Sequence, residues 1–505
     1  MLVTIIGFQR GDWSYQCALV VMALVTLLSI ENVLADPPKQ VFCKHLSTLV
    51  SCDKTGFSPY IGPYLTLIKP NSSSLRGTSH VLNPATSMVI NYEVTANVFF
   101  EALVFYREAT EQEWILQKED DYSSNLDMEW GRVRHISLEG LTPDTLYHYR
   151  VLAPNGVVTR EYSFRTASSE ADYSRFLVIG DMQDELQSQR WQDVADTITQ
   201  DHMDDFDFIL TVGDMVKDDI SHQGDRFYWW RVFFDKGENL FAHKPMFPAM
   251  GNHDTPANPT IIESKPHQSN PEDARAFRKY FYMNTDMSYP DYYAFSYGNA
   301  CFISVNSEIP VFSGVHPERK HAQDADAKQK RWLDSEVKKA GSCQWSFAYW
   351  HVPPINPAGG KDEVRFLRPY AESFSQNIDW SITGHVHEYQ RLNPVQIKPK
   401  ALDFMPRYGR DKSAGVGHMI APPAGQWPRG NSSDDMSQLA YYPHNKNGVA
   451  FEVGFSIINV SQQKFSLNTY GLGGVGTLVQ PKGYRENDDR SKHLIDTLIY
   501  EKPGP

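Results

Sequence analysis

Between about residue 60 and residue 166, apolar and polar positions alternate in short runs: Tyr64 to Ile68, Ser87 to Tyr92, Ala102 to Tyr106, Arg132 to Leu138 and Thr145 to Val151. Clusters of Asn, Pro and Gly break these runs, and period-two segments of this length predict an all-β sandwich. The pattern changes after the polar linker Ser168 to Asp172. Continuous apolar runs now alternate with stretches of helical spacing, Gln187 to Gln200, Gln268 to Tyr280 and Ala325 to Ala340, which predicts an α/β domain. The block rich in His and charge from Val315 to Asp326 reads as a surface loop or a helix start. Residues 471–476 formally match a dinucleotide glycine pattern, but a Pro and Gly break follows instead of a helix, so they read as a loop.

The apolar runs of the second part end in a shared way. Phe176 to Gln183, Phe208 to Met215, Phe247 to Asp254, Trp345 to His351 and Ile378 to His387 each place Asp, Asn, Gln or His just past an apolar strand. Gly stands directly before Asp181, Asp214, Asn252 and His385. In α/β proteins the carboxyl ends of strands are where ligands bind. One Gly-Asp is an ordinary turn; five such ends in one chain predict a shared site. Converging, they offer Asp181, Gln183, Asp214, Asn252, His351, His385 and His387 as metal ligands, with His253 beside them. Oxygen donors mixed with imidazole suit two divalent ions drawn from Mn, Fe, Zn or Mg, and the lack of Cys argues against a structural zinc site. A carboxylate with ligand sets on both sides can bridge a metal pair. His253 is the candidate general acid for a leaving alkoxide, with Asp254 orienting it or tuning its pKa.

Composition narrows the partners. A formal net charge of -13 provides no basic field to gather a nucleic acid polymer. A small anionic substrate therefore needs a local positive site, which bound metal ions would supply. At the N-terminus the apolar run Cys17 to Ile30 followed by Val33-Leu34-Ala35 reads as a signal peptide cleaved after Ala35. Its long flank leaves a start at Met22 or an uncleaved anchor as alternatives. Secretion, with no stable membrane span once the signal is removed, is the expectation. Cys43 and Cys52 then form the natural local disulfide, while Cys301 and Cys343 either pair or are buried thiols. Asn71, Asn431 and Asn459 head glycosylation sequons.

Gly180-Asp181, Gly213-Asp214, Gly251-Asn252-His253-Asp254, His351 and Gly384-His385-Val386-His387 resemble, in order, the motifs of the calcineurin-like metallophosphoesterases. Thr383 to Arg391 is most similar to the purple acid phosphatase branch, and Leu138 to Val151 with the exit Phe164 to Ala167 looks like the end of a fibronectin type III domain. The resemblance implies an α/β fold, a four-layer metallophosphoesterase sandwich of two mixed β-sheets flanked by helices, preceded by an all-β fibronectin type III-like sandwich. The expected organisation is a signal peptide over 1–35, a Cys-containing lead-in over 36–58, the β-sandwich over 59–168 and the catalytic domain over 172–500.

By resemblance, Asp181, Asp214 and His387 hold one ion, Asp214, Asn252, His351 and His385 the other, and His253 serves the leaving group. Two positions depart from the family pattern. Lys217 stands where purple members carry a metal-binding tyrosine, and Asp181-Met182-Gln183 stands where many other members read Asp-x-His. Gln183 could ligate through its amide oxygen, and loss of the phenolate favours a divalent pair over ferric iron. Lys217 is either a phosphate contact or, the favoured reading, a loop lysine paired with Asp218 and Asp219. His316, Arg391 and His418 are further candidate substrate contacts. The expected function is an acid phosphatase-like phosphomonoesterase acting on small phosphate esters. The alternatives are a phosphodiesterase or nucleotide pyrophosphohydrolase of the same fold, and a metal-impaired surface binding or adhesion protein.

Overall fold

The computed structural model describes residues 61–70, 79–94, 103–120, 132–152, 158–184, 188–217, 227–255, 271, 274–281, 283, 291–357, 364–398, 401–404, 415–427, 439–441, 452–472 and 492–502. The apolar N-terminal run, Cys43, Cys52, Asn71, Asn431, Asp218, Asp219 and residues 473–476 lie outside them. Among the described residues no helix is long and apolar enough to cross a membrane.

The alternating part forms β1 (Ile61–Thr66), β2 (Ile68–Pro70), β3 (Ser79–Val81), β4 (Ser87–Val94), β5 (Leu103–Glu108), β6 (Ile115–Lys118), β7 (Arg132–Glu139), β8 (Leu146–Leu152) and β9 (Tyr162–Arg165). An antiparallel sheet β1-β4-β7 and a second, β6-β5-β8-β9, build the sandwich, with β2-β3 as a side hairpin. Successive side chains of a strand point to opposite faces, so β4 presents Met88, Ile90, Tyr92 and Val94 on one face and Asn91 and Glu93 on the other. Alternation of this kind implies a wet polar face, yet every residue of β4 is buried. The reason is the second part of the chain. Glu93 pairs with Arg231 at 3.1 Å and Lys279 at 2.9 Å, and the Lys279 ammonium sits 3.9 Å from the Phe227 ring centre. Tyr64 and Tyr149 donate across the same junction to the carbonyls of Tyr280 and Ala242.

The second part runs β10 (Ser174–Ile179), α1 (Arg190–Asp201), β11 (Phe208–Val212), α2 (Tyr228–Lys236), α3 (Glu238–Phe241), β12 (Met246–Ala249), α4 (Arg275–Tyr280), β13 (Tyr293–Tyr297), β14 (Ala300–Ser304), α5 (Glu308–Val315), α6 (Lys320–Ala340), β15 (Trp345–Tyr349), α7 (Val364–Ala371) and β16 (Trp380–Thr383). It continues through β17 (Gln390–Leu392), β18 (Val395–Lys398), β19 (Ala401–Phe404), β20 (Gly417–Ile420), β21 (Leu439–Tyr441), β22 (Val453–Val460), β23 (Lys464–Leu472) and β24 (Lys492–Glu501). One mixed sheet is ordered β12-β11-β10-β22-β23-β24 and the other β13-β14-β15-β16-β20-β17-β21. The continuous apolar strands are buried on both faces, as parallel strands covered by helices must be. Phe176 of β10 meets Phe302 edge-on at 5.2 Å and Phe347 at 5.0 Å, knitting the two sheets. Outside them, α1 covers the first sheet with Trp191, Val194 and Ile198, and α6 covers the second with Leu333 and Val337. This is the four-layer sandwich the resemblance implies.

Local readings shift in places. The block from Val315 to Asp326 divides between the end of α5 and the first turns of α6. Cys301 and Cys343 form a disulfide that ties β14 to the chain leaving α6. Asn459 sits inside β22, paired on both sides, with its side-chain oxygen buried and without a partner among the described residues, a poor position for a glycan.

The substrate contact expected at His418 is not found, since the residue lies inside the fold. It is buried on β20, neither ring nitrogen has a partner among the described residues, and burial pushes its pKa down to about 3. Burial does the same to His135, which lies 2.7 Å from Asn91 Oδ1. Each imidazole is neutral when folded and takes a proton near pH 6.5 when unfolded. Their contribution is thus complete above about pH 6.5 and is lost as pH falls toward 3, at about 1.4 kcal/mol per pH unit for each. Chemical denaturation between pH 6.5 and 4.5 is expected to show this loss, and His418→Leu to flatten it; an unchanged slope in the variant would refute the assignment.

Candidate metal centre

The five strand ends meet at one edge of the two sheets. Asp181 follows β10, Asp214 follows β11, the turn Asn252 to Asp254 follows β12, His351 follows β15, and His385 and His387 follow β16. Two groups of buried donors result, Asp181 with Asp214 and His387, and Asp214 with His351 and His385, and within each group the ligand atoms lie within 4.8 Å of one another. Asp214 belongs to both. His351 Nε2 is 3.1 Å from Asp214 Oδ2 and 3.1 Å from Asn252 Oδ1, and His387 Nε2 is 3.3 Å from Asp181 Oδ1. No lysine or arginine pairs with either carboxylate among the described residues, and the ion-pair partners they have are histidines.

The backbone is strained where these side chains leave it. Five non-glycine residues among those described have positive φ, and four of them are Asp181 (51°), Asp214 (53°), His385 (71°) and His387 (59°). Each such residue costs about 1 to 3 kcal/mol, a cost that persists where the surroundings impose the conformation. The glycines beside them serve close approach more than turning. Gly384 does not take positive φ; a Cβ there would stand 2.6 Å from Asp181 Oδ2. Gly213 does both, with φ of 88° and His351 Nδ1 2.7 Å from the place of a Cβ.

Electrostatics follow from this crowding. Burial opposes ionisation of Asp214, but His351 and His253 outweigh it and hold the carboxyl below the usual carboxylate range. Conversely, burial opposes protonation of His351, and Asp214 overcomes it, lifting the pKa to about 10. His351 Nδ1 donates to the Val212 carbonyl at 2.8 Å, which fixes the ring and leaves Nε2 facing the cluster, as in histidines that bind metals. The donor set of two carboxylates, three imidazoles and an amide oxygen suits divalent Mn, Fe, Zn or Mg.

Other expected site residues fall elsewhere. Gln183 turns its amide oxygen to Gln426 and its nitrogen to Asp214, so it does not face the cluster as an oxygen ligand. Arg391, expected at substrate, is corrected. It is buried and bound at two points to Asp496 of β24, 2.7 and 3.0 Å away, joining the two sheets. His316 caps the end of α5 beside Glu318 and Phe312, with no described contact to the cluster. The Lys217 carbonyl accepts from His253 Nδ1 at 2.5 Å, and its ammonium lies 5.8 Å from the Trp229 ring centre.

Asp254 is corrected as well. Its carboxylate does not hold the His253 ring. Oδ2 accepts from the amides of Gly251 and Asp214, and Oδ1 from those of Met215 and Val216, at 2.8 to 3.3 Å. The residue staples the two ligand loops together. Burial and the Asp214 carboxylate push its pKa up to about 8, and four N–H donors with no acceptor for a proton favour the ionised form against that push. Asp254→Asn sets an amide NH₂ against backbone donors and is expected to lose about 3 kcal/mol of stability. Urea denaturation in chelator reads this directly, and an unchanged midpoint would remove the stapling role.

Sequence reading missed the segment Ala421 to Trp427, whose Ala424, Gly425 and Gln426 amides donate to the carbonyls of Gly180 and Asp181. Its only ligand-type residue is an amide, so no spacing rule marks it.

Known proteins are similar to this chain in both of its parts. A calcineurin-like phosphoesterase profile matches residues 174–389, and a purple acid phosphatase N-terminal domain profile matches residues 78–166. Purple acid phosphatase 21 of Arabidopsis thaliana is 27% identical over 277 residues, covering 53% of this chain and 55% of the relative. Purple acid phosphatase 15 of the same plant is 25% identical over 296 residues, covering 52% and 50%. The chain thus spans about half the length of the curated relatives it matches. The purple acid phosphatase PPD1 from yellow lupin (Lupinus luteus) seeds superposes with a TM-score of 0.61 over 87% of this chain and 74% of that one, at 14% identity, a likeness of fold. A calcineurin-like phosphoesterase domain therefore follows a purple acid phosphatase N-terminal domain in this chain, and purple acid phosphatases are among the proteins it is similar to.

Proposed function

We propose that the protein is an exported dinuclear-metal phosphohydrolase whose first substrates are small phosphomonoesters. The observation that carries this reading is the sharing of buried Asp214 by two donor groups. Asp181, Asp214 and His387 would hold one divalent ion, and Asp214, Asn252, His351 and His385 the other. Such ions, when bound, polarise phosphoryl oxygens and lower the pKa of water. The chain's own groups do the rest. His253 is half-buried, tethered through Nδ1, and has Nε2 to give a proton to the leaving oxygen. Asp254 keeps the loops carrying Asp214 and Asn252 in register.

Phosphodiesters and pyrophosphates are the alternative substrates, since the same donors would serve them and surrounding loops set the choice. A metal-impaired binding protein is disfavoured because the second donor set and His253 are all retained. The Cys301–Cys343 disulfide supports an oxidising compartment. Residues 59–168 and 172–500 are taken as the sandwich and catalytic units.

Chelated protein reloaded with Mn, Zn, Mg or Fe tests the proposal. About two ions per chain are expected, with an aryl monophosphate cleaved faster than a diester or pyrophosphate. At most a single ion, with none of the three cleaved, would establish the binding-protein reading instead.

A further inference from the structure

Gln183 and Gln426 lie on a line of hydrogen bonds with one allowed polarity. The Trp427 backbone N–H can only donate, and it donates to Gln426 Oε1 at 2.8 Å. Gln426 Nε2 must then face Gln183, whose Oε1 accepts it at 2.6 Å. Gln183 Nε2 is thereby turned onto Asp214 Oδ2, the carboxylate common to both donor groups. The segment at the head of the line is fixed. The Gly425 and Gln426 amides donate to the Asp181 carbonyl at 3.0 and 2.8 Å, and Arg190 Nε donates to the Gly425 carbonyl at 2.6 Å. The Arg190 guanidinium also lies 4.1 Å from the Trp427 ring centre.

We infer that Gln183 is a positioning residue and not a metal ligand. Gln426 clamps it as a donor to Asp214, so the first cation seat has Asp181, Asp214 and His387 while the second has Asp214, Asn252, His351 and His385. An amide N–H cannot ligate a cation, so the first seat is left with three donors against four in the second. The second seat therefore fills first, and the first holds its ion more loosely with positions open to water and substrate. This inference rests on the dinuclear reading above.

Equilibrium dialysis of the full chain against Mn²⁺, with electron paramagnetic resonance, tests it. Two affinity classes at least ~10-fold apart are expected, with an isolated-ion signal at one equivalent and a coupled-pair signal only in excess metal. Gln426→Glu replaces the donor facing Gln183 by an acceptor. The Gln183 amide must then turn over and present its oxygen to the first seat, and the weaker class should tighten about 10-fold. Gln426→Leu frees the same amide without adding charge and should tighten that class by a smaller factor. Two equal classes in the parent, or weakening or no change in the variants, would overturn the inference. Tightening in Gln426→Glu alone would trace to its charge and would also overturn it. Failure of the parent to bind Mn²⁺ at millimolar concentration would instead remove the dinuclear reading beneath it.

Discussion

Asp214→Asn is expected to release both metal ions, where Asp181→Asn or His387→Ala should release one. The contrast follows from membership: Asp214 is in both donor groups and Asp181 and His387 in one each. The substitution keeps the shape and removes the charge that both donor groups share, so the second seat loses its anchor as well as the first. Partners that merely orient a ligand already cost about 10- to 100-fold in metal affinity or activity, and a shared ligand should exceed that range. Metal content per chain after gel filtration and turnover on an aryl phosphate are the measurements. The stabilisation conferred by added metal, which follows mass action, should vanish with them. A variant still carrying two ions would show that the carboxylate does not bridge.

The donor cluster was legible because its physics is local. A strand that ends in Gly followed by a ligand-type residue advertises itself within a few positions, and Asp181, Asp214, Asn252 and His385 all do so. What the sequence could not show was pairing across distance. Arg391 follows His387 closely enough to suggest a role in the pocket, but its partner Asp496 lies 105 residues away on the other sheet. Asp254 adjoins His253, which suggested an acid and its orienter. In the tight turn Asn252 to Asp254, neighbouring side chains leave in different directions, so Asp254 reaches backbone amides of the preceding ligand loop. Backbone amides have no sequence signature.

The N-terminal sandwich shows the same limit. Period-two alternation identified its strands and could not say whether the polar face meets water or protein. Glu93 on that face is buried against Arg231 and Lys279, the first in α2 and the second in α4. Those helices follow, respectively, the loops that carry Asp214 and the Asn252 to Asp254 turn. The sandwich is thus packed against the helices that follow the donor loops in sequence, with buried charges that are costly to separate.

His253→Ala should leave both ions in place and lower turnover by about 10² to 10⁴ on an alkyl phosphate, whose leaving oxygen needs a proton. On a dinitrophenyl phosphate, whose leaving group departs as a stable anion, the loss should be far smaller. The proposed role of His253 is that of a general acid and not of a ligand. Its backbone N–H donates to Asp214 Oδ1 at 2.9 Å, tying it to the shared carboxylate, while its ring is held through Nδ1 by the Lys217 carbonyl. In the proposed role Nε2 carries the proton, and a residue that is half-buried can meet a phosphate ester without being sealed from it. A general acid must carry its proton, so the alkaline fall in the rate on the alkyl ester should disappear in the variant while the acidic limb stays. Equal losses on both esters, with metal content unchanged, would remove the proton-transfer role and leave His253 as an orienting contact alone.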